Sequence, residues 1–356
     1  MYTKNTFPAI VGRGTSDNPS GRFESLQIEP DPDYLEELSE QRPATTFLND
    51  ATRNILAKND SPDIPFTYSL NPYRGCEHGC IYCYARPTHE YLGFSAGLDF
   101  ETKILVKKDA PALLEEAFRK PGWQPQVVAL SGNTDCYQPI EKKLELTRRC
   151  LRVFLKYRNP VGIITKNALI TRDTDVLQEL AALNLLAVRI SITTLDQKLC
   201  KIMEPRTSSP KKRLGAIRAL SKAGIPVGVN IAPIIPAINE SEIGRIAEAA
   251  AEAGAGTASY IMVRLPHANK MLFQNWLERH FPDRTTKVLN AIRSLREGEL
   301  YKSTFHTRMH GTGTRADLVH DVFTMACRKH HLNREFPPLD TQLFHRDNTQ
   351  LSLFDA

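Results

Sequence analysis

An α/β fold, with strands running parallel under a layer of helices, is what this sequence predicts, and three observations predict it. From residue 100 onward short β-branched apolar runs alternate with amphipathic helical stretches, the pattern of repeated βαβ units. Gly224 and Gly254 fall where two of those helices give way to the next strand, the usual place for a left-handed C-terminal cap. At 356 residues, 41% hydrophobic and 24% charged, the chain suits a folded protein with one large α/β domain and extensions, or two domains.

Residues 1–60 read as an irregular arm. GRGTSDNPSGRFE is turn-rich, and DPDYLEELSE suggests a short helix started by Asp31 or Asp33, with Pro32 near its first position. The first strand lies around FTYSLN, just before Cys76. Strands then follow at KILV (103–106), QVVALSG (126–132), VGIITKN (161–167), AVRISIT (187–193), PVGVNIAPI (226–234) and TASYIMVRL (257–265). KILV reads as an additional edge strand. The helical stretches between them are APALLEEAFRK, LELTRRCLRVFLKY, TDVLQELAALN, KRLGAIRALSKAG and NESEIGRIAEAAAEAG. Beyond 300, TFHTRMHGTGTR reads as loop and ADLVHDVFTMACRKHHL as an amphipathic helix, a small addition expected against the mouth of the fold. The division is therefore an arm (1–60), a core (61–300), an extension (301–345) and a flexible tail (346–356).

No apolar stretch reaches the length of a membrane span; VGVNIAPIIPAI, among the longest, is broken by proline. The start of the sequence lacks the apolar run of a secretory signal. Seven cysteines, an odd number, suit a reducing compartment better than a disulfide framework, so the expected location is cytoplasmic. The net charge is +6. Residues 301–334 concentrate Lys302, Arg308, Arg315, Arg328, Lys329 and Arg334 against Asp317 and Asp321, a patch able to attract a phosphate backbone or an ordinary solvated surface.

The chemistry centres on NPYRGCEHGCIYCYARPTH, where Cys76, Cys80 and Cys83 are spaced C-x3-C-x2-C. Three thiolates on one short loop can bind three irons of a cubane cluster and leave the fourth open. Structural zinc wants four donors, usually as two separated pairs. Zinc with a distant histidine remains the alternative.

This triplet resembles the signature of the radical S-adenosylmethionine (radical SAM) superfamily. The longer segment, with SGNTDCYQPIE (131–141) downstream, is similar to the branch containing spore photoproduct lyase. The resemblance spans roughly residues 60–300 and implies a partial (β/α)6 TIM-type barrel. It also implies an enzyme of the lyase-like type that uses a [4Fe-4S] cluster to cleave S-adenosylmethionine and abstract hydrogen from DNA, in repair or modification. A reductant such as flavodoxin or ferredoxin is implied with it. Radical chemistry on RNA, a peptide or a small molecule is the second reading, and an iron–sulfur scaffold associated with DNA or a clamp is the third.

Cofactor contacts follow from the same resemblance. Tyr82 packs near adenine and cluster, or merely shields the loop. Gly132, Asn133, Thr134 and Asp135 receive the cofactor's ammonium, or form an Asx or Ser/Thr turn. Ser191 and Thr193 touch the ribose, Lys166 ends the preceding strand at the same mouth, and Asn230 closes the adenine side. Glu204 and Arg206 in KIMEPRTSSPKKR resemble the motif whose arginine grips the cofactor carboxylate. Cys136 is the candidate hydrogen-atom donor, with core filling the favoured reading. The terminal peptide Gln350, Leu351, Ser352, Leu353 and Phe354 resembles the motif that binds the bacterial replication sliding clamp; a clasp docked on the barrel is the alternative.

Overall fold

The computed structural model describes residues 10–24, 43–334 and 336–346. The helix expected over DPDYLEELSE and the terminal peptide Gln350–Phe354 lie outside the described residues.

Ten strands form two sheets: β1 (Thr46–Asn49), β2 (Leu56–Lys58), β3 (Tyr68–Leu70), β4 (Tyr73–Arg74), β5 (Lys103–Val106), β6 (Val128–Leu130), β7 (Val161–Thr165), β8 (Leu186–Ser191), β9 (Val227–Ile234) and β10 (Thr257–Met262). The larger sheet has the order β10-β9-β8-β7-β6-β3-β2. Its six strands from β3 to β10 are mutually parallel, and β2 adds an antiparallel edge. β10 and β2 do not pair with each other, so the barrel stays open on one side. This is the partial (β/α)6 arrangement.

Each of the strands β6 to β10 is preceded by a helix whose apolar stripe covers the sheet: Ala110–Arg119, Leu146–Tyr157, Thr174–Ala182, Pro210–Lys222 and Ile243–Glu252. Strand residues with the matching face, such as Ile163, Val188, Ile190, Val229 and Met262, are buried with Leu151, Phe154, Leu177, Ile217 and Ile246 in one core. Gly224 and Gly254 do end two of the helices, at φ 74° and 100°. Asp196 and Ser209 cap the helices Gln197–Met203 and Pro210–Lys222 by accepting hydrogen bonds from backbone N–H groups.

Several expectations are corrected. KILV is not an edge of the barrel: as β5 it is the centre of a separate sheet, β1-β5-β4. It pairs in parallel with β1 and antiparallel with β4, the strand leading into the cysteine loop. The stretch 43–60 is accordingly not all irregular, because β1 and β2 lie in it. Both are too short to show a period and exist through partners far along the chain. The helices Asn269–His280 and Thr285–Ser294 were not anticipated; they form, with Val263, Leu265 and Met203, a second apolar cluster over the cysteine loop.

The helix of the C-terminal extension does not sit at the mouth as expected, although Met309 meets the end of β10 at Met262. The helix Thr314–Lys329 packs outside, against Ile243–Glu252, because its stripe of Ala316, Val319, Ala326 and Cys327 completes the outer layer. The chain then runs as a strap under the N-terminal ends of the strands. Asn333 bridges to Thr257, Asn184 Nδ2 donates to the Pro338 carbonyl, Phe344 packs on Phe118 and Tyr157, and Arg346 donates to the Trp123 carbonyl at 2.7 Å. Phe118 is the hub of that foot, touching Trp123, Phe154, Tyr157 and Phe344. Phe118→Ala is expected to cost about 3–5 kcal/mol, read as a lower urea midpoint at unchanged slope.

Candidate functional site

The three cysteines lie on the loop after β4, at the C-terminal ends of the parallel strands, where open barrels carry their chemistry. Gly75 and Gly79 have φ of 77° and 65°. A Cβ on Gly79 would come within 2.5 Å of Glu101 Oε2, so both the left-handed turn and the close packing require glycine. Cys76 N–H donates to the Phe100 carbonyl at 2.9 Å and Ile81 N–H to the Met203 carbonyl at 3.0 Å.

Arg86, fully buried, donates through Nε to the Cys80 carbonyl (3.0 Å) and through Nη1 to the Gly97 carbonyl (2.9 Å), and pairs with buried Glu101 at 2.5 Å. Glu101 also accepts from Gly14 N–H at 2.9 Å, which ties the N-terminal segment over the loop. Behind the loop, Gln138 Oε1 accepts from Glu77 N–H (2.9 Å), and Glu77 accepts from Ile140 N–H (2.7 Å) and pairs with Arg206 (3.0 Å). Arg86, Glu101 and Gln138 escaped assignment as anchors, although Arg86 follows the last cysteine by only three positions.

All three thiols are free. Burial pushes Cys80 and Cys83 up from the usual thiol pKa; the Lys166 ammonium opposes this at both, and Arg86 at Cys83. Cys80 and Cys83 therefore favour the thiolate only with added positive charge nearby, which bound iron would supply. Among the described residues no three His, Cys, Asp or Glu side chains converge tightly enough for a single metal ion. Donors to separate corners of a cubane sit farther apart than donors to one ion, so this donor set fits a cluster better than zinc.

The SGNTDC segment is drawn against the loop by its own backbone. Asn133 N–H and Thr134 N–H both donate to Asn71 Oδ1, at 3.0 and 3.2 Å. Thr134 Oγ1 donates to the Tyr73 carbonyl at 2.9 Å. The Asp135 carboxylate accepts from Lys166 N–H (2.8 Å), Thr165 Oγ1 (2.7 Å) and Tyr137 N–H (2.9 Å) and faces His78 at 3.4 Å. Thr134 thus ties the segment to β4, and Asp135 braces β7 and His78. Gly132 passes so close to Ser69 that a Cβ would come within 2.9 Å of its Cβ, and its carbonyl accepts from Tyr84 Oη at 2.7 Å.

A second polar network fixes Tyr82. Its hydroxyl donates to Glu204 Oε1 and lies 3.3 Å from Thr193 Oγ1, which itself donates to Glu204 Oε1 at 2.5 Å. Glu204 pairs with Arg213, both fully buried. Burial works against the Glu204 charge, but Arg213 and Lys166 outweigh it and hold the carboxyl at about 2. Lys166 Nζ stands 5.9 Å from the Tyr82 ring centre. Glu204's cation is thus Arg213, which also donates to the Ser191 carbonyl (3.0 Å), while Arg206 serves Glu77. Ser191 Oγ is buried without a partner among the described residues, and Asn230 Oδ1 accepts from Ser259 Oγ at 3.2 Å.

Burial and pairing bear on two readings that the sequence left open. Cys136 is wholly buried in the helix-side core, its N–H on Ser131 Oγ and its carbonyl accepting from Thr147 Oγ1 on Leu146–Tyr157. That is the filler role, and it keeps the thiol from the mouth. Of the six cations named in the basic segment, three are held by acids: Lys302 pairs with Glu297, Arg308 with Asp63 and Arg315 with Glu240. Around the loop, instead, stand exposed aromatic rings with cations. Tyr84 lies under Arg264 at 4.3 Å, and Phe23 and Tyr91 flank Arg22 at 5.1 and 5.7 Å.

The family model of the Radical SAM superfamily matches residues 70–250. The chain belongs to the radical SAM superfamily. Members use a [4Fe-4S] cluster and S-adenosylmethionine, so it is an enzyme. It is 35% identical to an uncharacterized protein of Mycobacterium tuberculosis over 232 residues, 65% of this chain and 68% of the relative. It is 30% identical to one of Methanocaldococcus jannaschii over 218 residues, 61% and 77% of the two. Its fold is that of spore photoproduct lyase: a tyrosine-to-phenylalanine variant aligns with TM-score 0.60 at 17% identity over 87% and 86% of the chains. The complex with dinucleoside spore photoproduct aligns at 0.57 and 17% over 80% and 79%.

Removing one partner of a buried pair strands the other charge. Arg213→Ala is expected to cost about 3–5 kcal/mol in urea unfolding, with Arg213→Lys recovering part of it.

Proposed function

We propose that this radical SAM enzyme acts on nucleic acid, as a lyase-like DNA-repair or DNA-modification activity. The observation that carries the reading is the fold shared over most of both chains with spore photoproduct lyase, one of whose structures holds a dinucleoside photoproduct. In this reading Cys76, Cys80 and Cys83 hold the cluster and leave its fourth iron to S-adenosylmethionine. Once bound, the pair supplies one-electron cleavage of the sulfonium and a carbon radical that abstracts hydrogen. The chain's own residues bind and orient. Tyr82, locked by Glu204 and Thr193, walls the adenine side with Asn230. Lys166 and Asn133 offer donors to the amino-acid end of the cofactor, Ser191 faces its ribose, and the apolar cluster around Trp276 keeps water from the loop.

The exposed Tyr84 and Tyr91 rings, each beside an arginine, suit stacking of unpaired bases next to the mouth. A flavodoxin- or ferredoxin-type reductant supplies the electron. The terminal peptide Gln350–Phe354 is proposed to dock on the replication sliding clamp.

Anaerobically reconstituted protein incubated with ultraviolet-damaged DNA is expected to form 5′-deoxyadenosine and exchange deuterium between cofactor and substrate. Cleavage stimulated by RNA, a peptide or a small molecule but not by DNA would reassign the substrate, and absence of any cleavage would leave an iron–sulfur scaffold. Deleting residues 350–356 is expected to abolish clamp binding in a direct titration at unchanged iron content; equal affinity would reject the docking peptide.

A further inference from the structure

Alternate residues of β7, β8 and β10 differ sharply in exposure. Ile163, Val188, Ile190 and Met262 face the helices and are fully buried, whereas Ile164, Ala187, Arg189, Ser259 and Ile261 keep solvent access. Side chains alternate across a strand, so the second set lines the inner face of the open barrel and keeps that face in reach of solvent. Arg189 lies in the middle of that face, level with Ile164 on β7 and Gly228 on β9. Its Nη1 donates to Ser259 Oγ at 3.3 Å, and its guanidinium stands 5.1 Å from the ring centre of Phe336 in the strap below. A Cβ on Gly228 would come within 2.2 Å of Thr257 Oγ1 and 3.3 Å of the Phe336 ring; the missing side chain lets that ring floor the cavity.

No carboxylate opposes Arg189 among the described residues, in contrast to Arg86, Arg206, Arg213 and Arg308. Burial alone acts on its pKa, and lowers it. Two neighbouring hydroxyls on the same face, Ser191 Oγ and Thr257 Oγ1, are buried with no partner. Ser191, Asn230 and Ser259 lie in register across three strands, one step nearer the mouth than Arg189. A partly desolvated charge and idle hydroxyls are costly unless a ligand completes them.

We propose that the inner face of the barrel is an oxyanion site, in which Arg189 binds a phosphate of the substrate with the hydroxyls of Ser191, Ser259 and Thr257 around it. The proposal rests on the nucleic-acid reading above and adds where the substrate's charge is held. A guanidinium presents two parallel donors to a phosphate. One cation at this level, with Lys166 two residues nearer the mouth beside Tyr82, matches the single charge of one phosphodiester, and the aromatic floor sets the depth to which a nucleotide enters.

The test uses the full-length, cluster-reconstituted protein and two thymidine dinucleotides, one with its natural phosphodiester and one with an uncharged methylphosphonate. Wild type is expected to bind the charged form about tenfold more tightly, the scale of one charge-assisted hydrogen bond. Arg189→Gln is expected to bring the two affinities together, Arg189→Lys to keep part of the difference, and Phe336→Ala, which removes the floor but not the charge, to keep most of it. Iron content and melting temperature report folding. A preference undiminished in Arg189→Gln overturns the site, as does a loss reproduced by Phe336→Ala. Calorimetry with inorganic phosphate separates the two claims. If wild type binds phosphate and Arg189→Gln does not, while neither dinucleotide binds, the anion site stands and the nucleic-acid reading falls. If phosphate binding is indifferent to Arg189 and no charge preference exists, the site falls.

Discussion

The buried pair of Arg86 and Glu101 is the constraint on which the rest of the mouth depends. One guanidinium reaches the Cys80 carbonyl from within the loop, the Gly97 carbonyl beyond it, and a carboxylate on the approach to β5. Glu101 spends its other oxygen on Gly14. Both ions are out of water, so neither can leave without stranding the other. The geometry also explains two glycines, since Gly79 and Gly14 sit where any side chain would strike this assembly. The result is a cysteine loop whose shape is set before any cluster is bound, the kind of prior order that a reactive site needs.

Glu204 plays the matching part on the other side. It collects Tyr82, Thr193 and Arg213 in a closed network, which fixes the ring between Cys80 and Cys83 in orientation as well as position. Asp135 does the same for β7 and His78. Three carboxylates, Glu101 and Glu204 buried and Asp135 partly so, thus join the loop to three different parts of the barrel. Such networks give a single arrangement at the expense of tolerance, because a partly satisfied one is worse than none.

Much of this was legible. The parallel strands, their helices and the closing glycines follow from periods of 2 and 3.6, which need only local sequence. The cysteine triplet was legible because thiolate chemistry leaves few other uses for that spacing. The small sheet β1-β5-β4 was not, since residues 46–49 and 103–106 carry no sign of each other. Buried charges were also misread: Arg86 and Glu101 look in sequence like any solvated pair. Glu204 has Arg206, Lys211, Lys212 and Arg213 following it, and only the start of the helix Pro210–Lys222 selects Arg213, by turning it inward. Cys136 and the basic segment each kept two readings in sequence, because burial and local acid partners are invisible before folding. Of the two helices after β10, Asn269–His280 carries polar residues on several sides and lacks a clean period, whereas Thr285–Ser294 is amphipathic and its period was there to be read.

The strap has a consequence for the foot of the barrel. It brings Arg346 onto the carbonyls of Phe118 and Trp123, at the end of the strands opposite the cysteine loop. Two stretches of chain 223 or more positions apart are stitched together there, so local opening of the strap uncovers the aromatic foot and leaves the buried networks at the mouth closed.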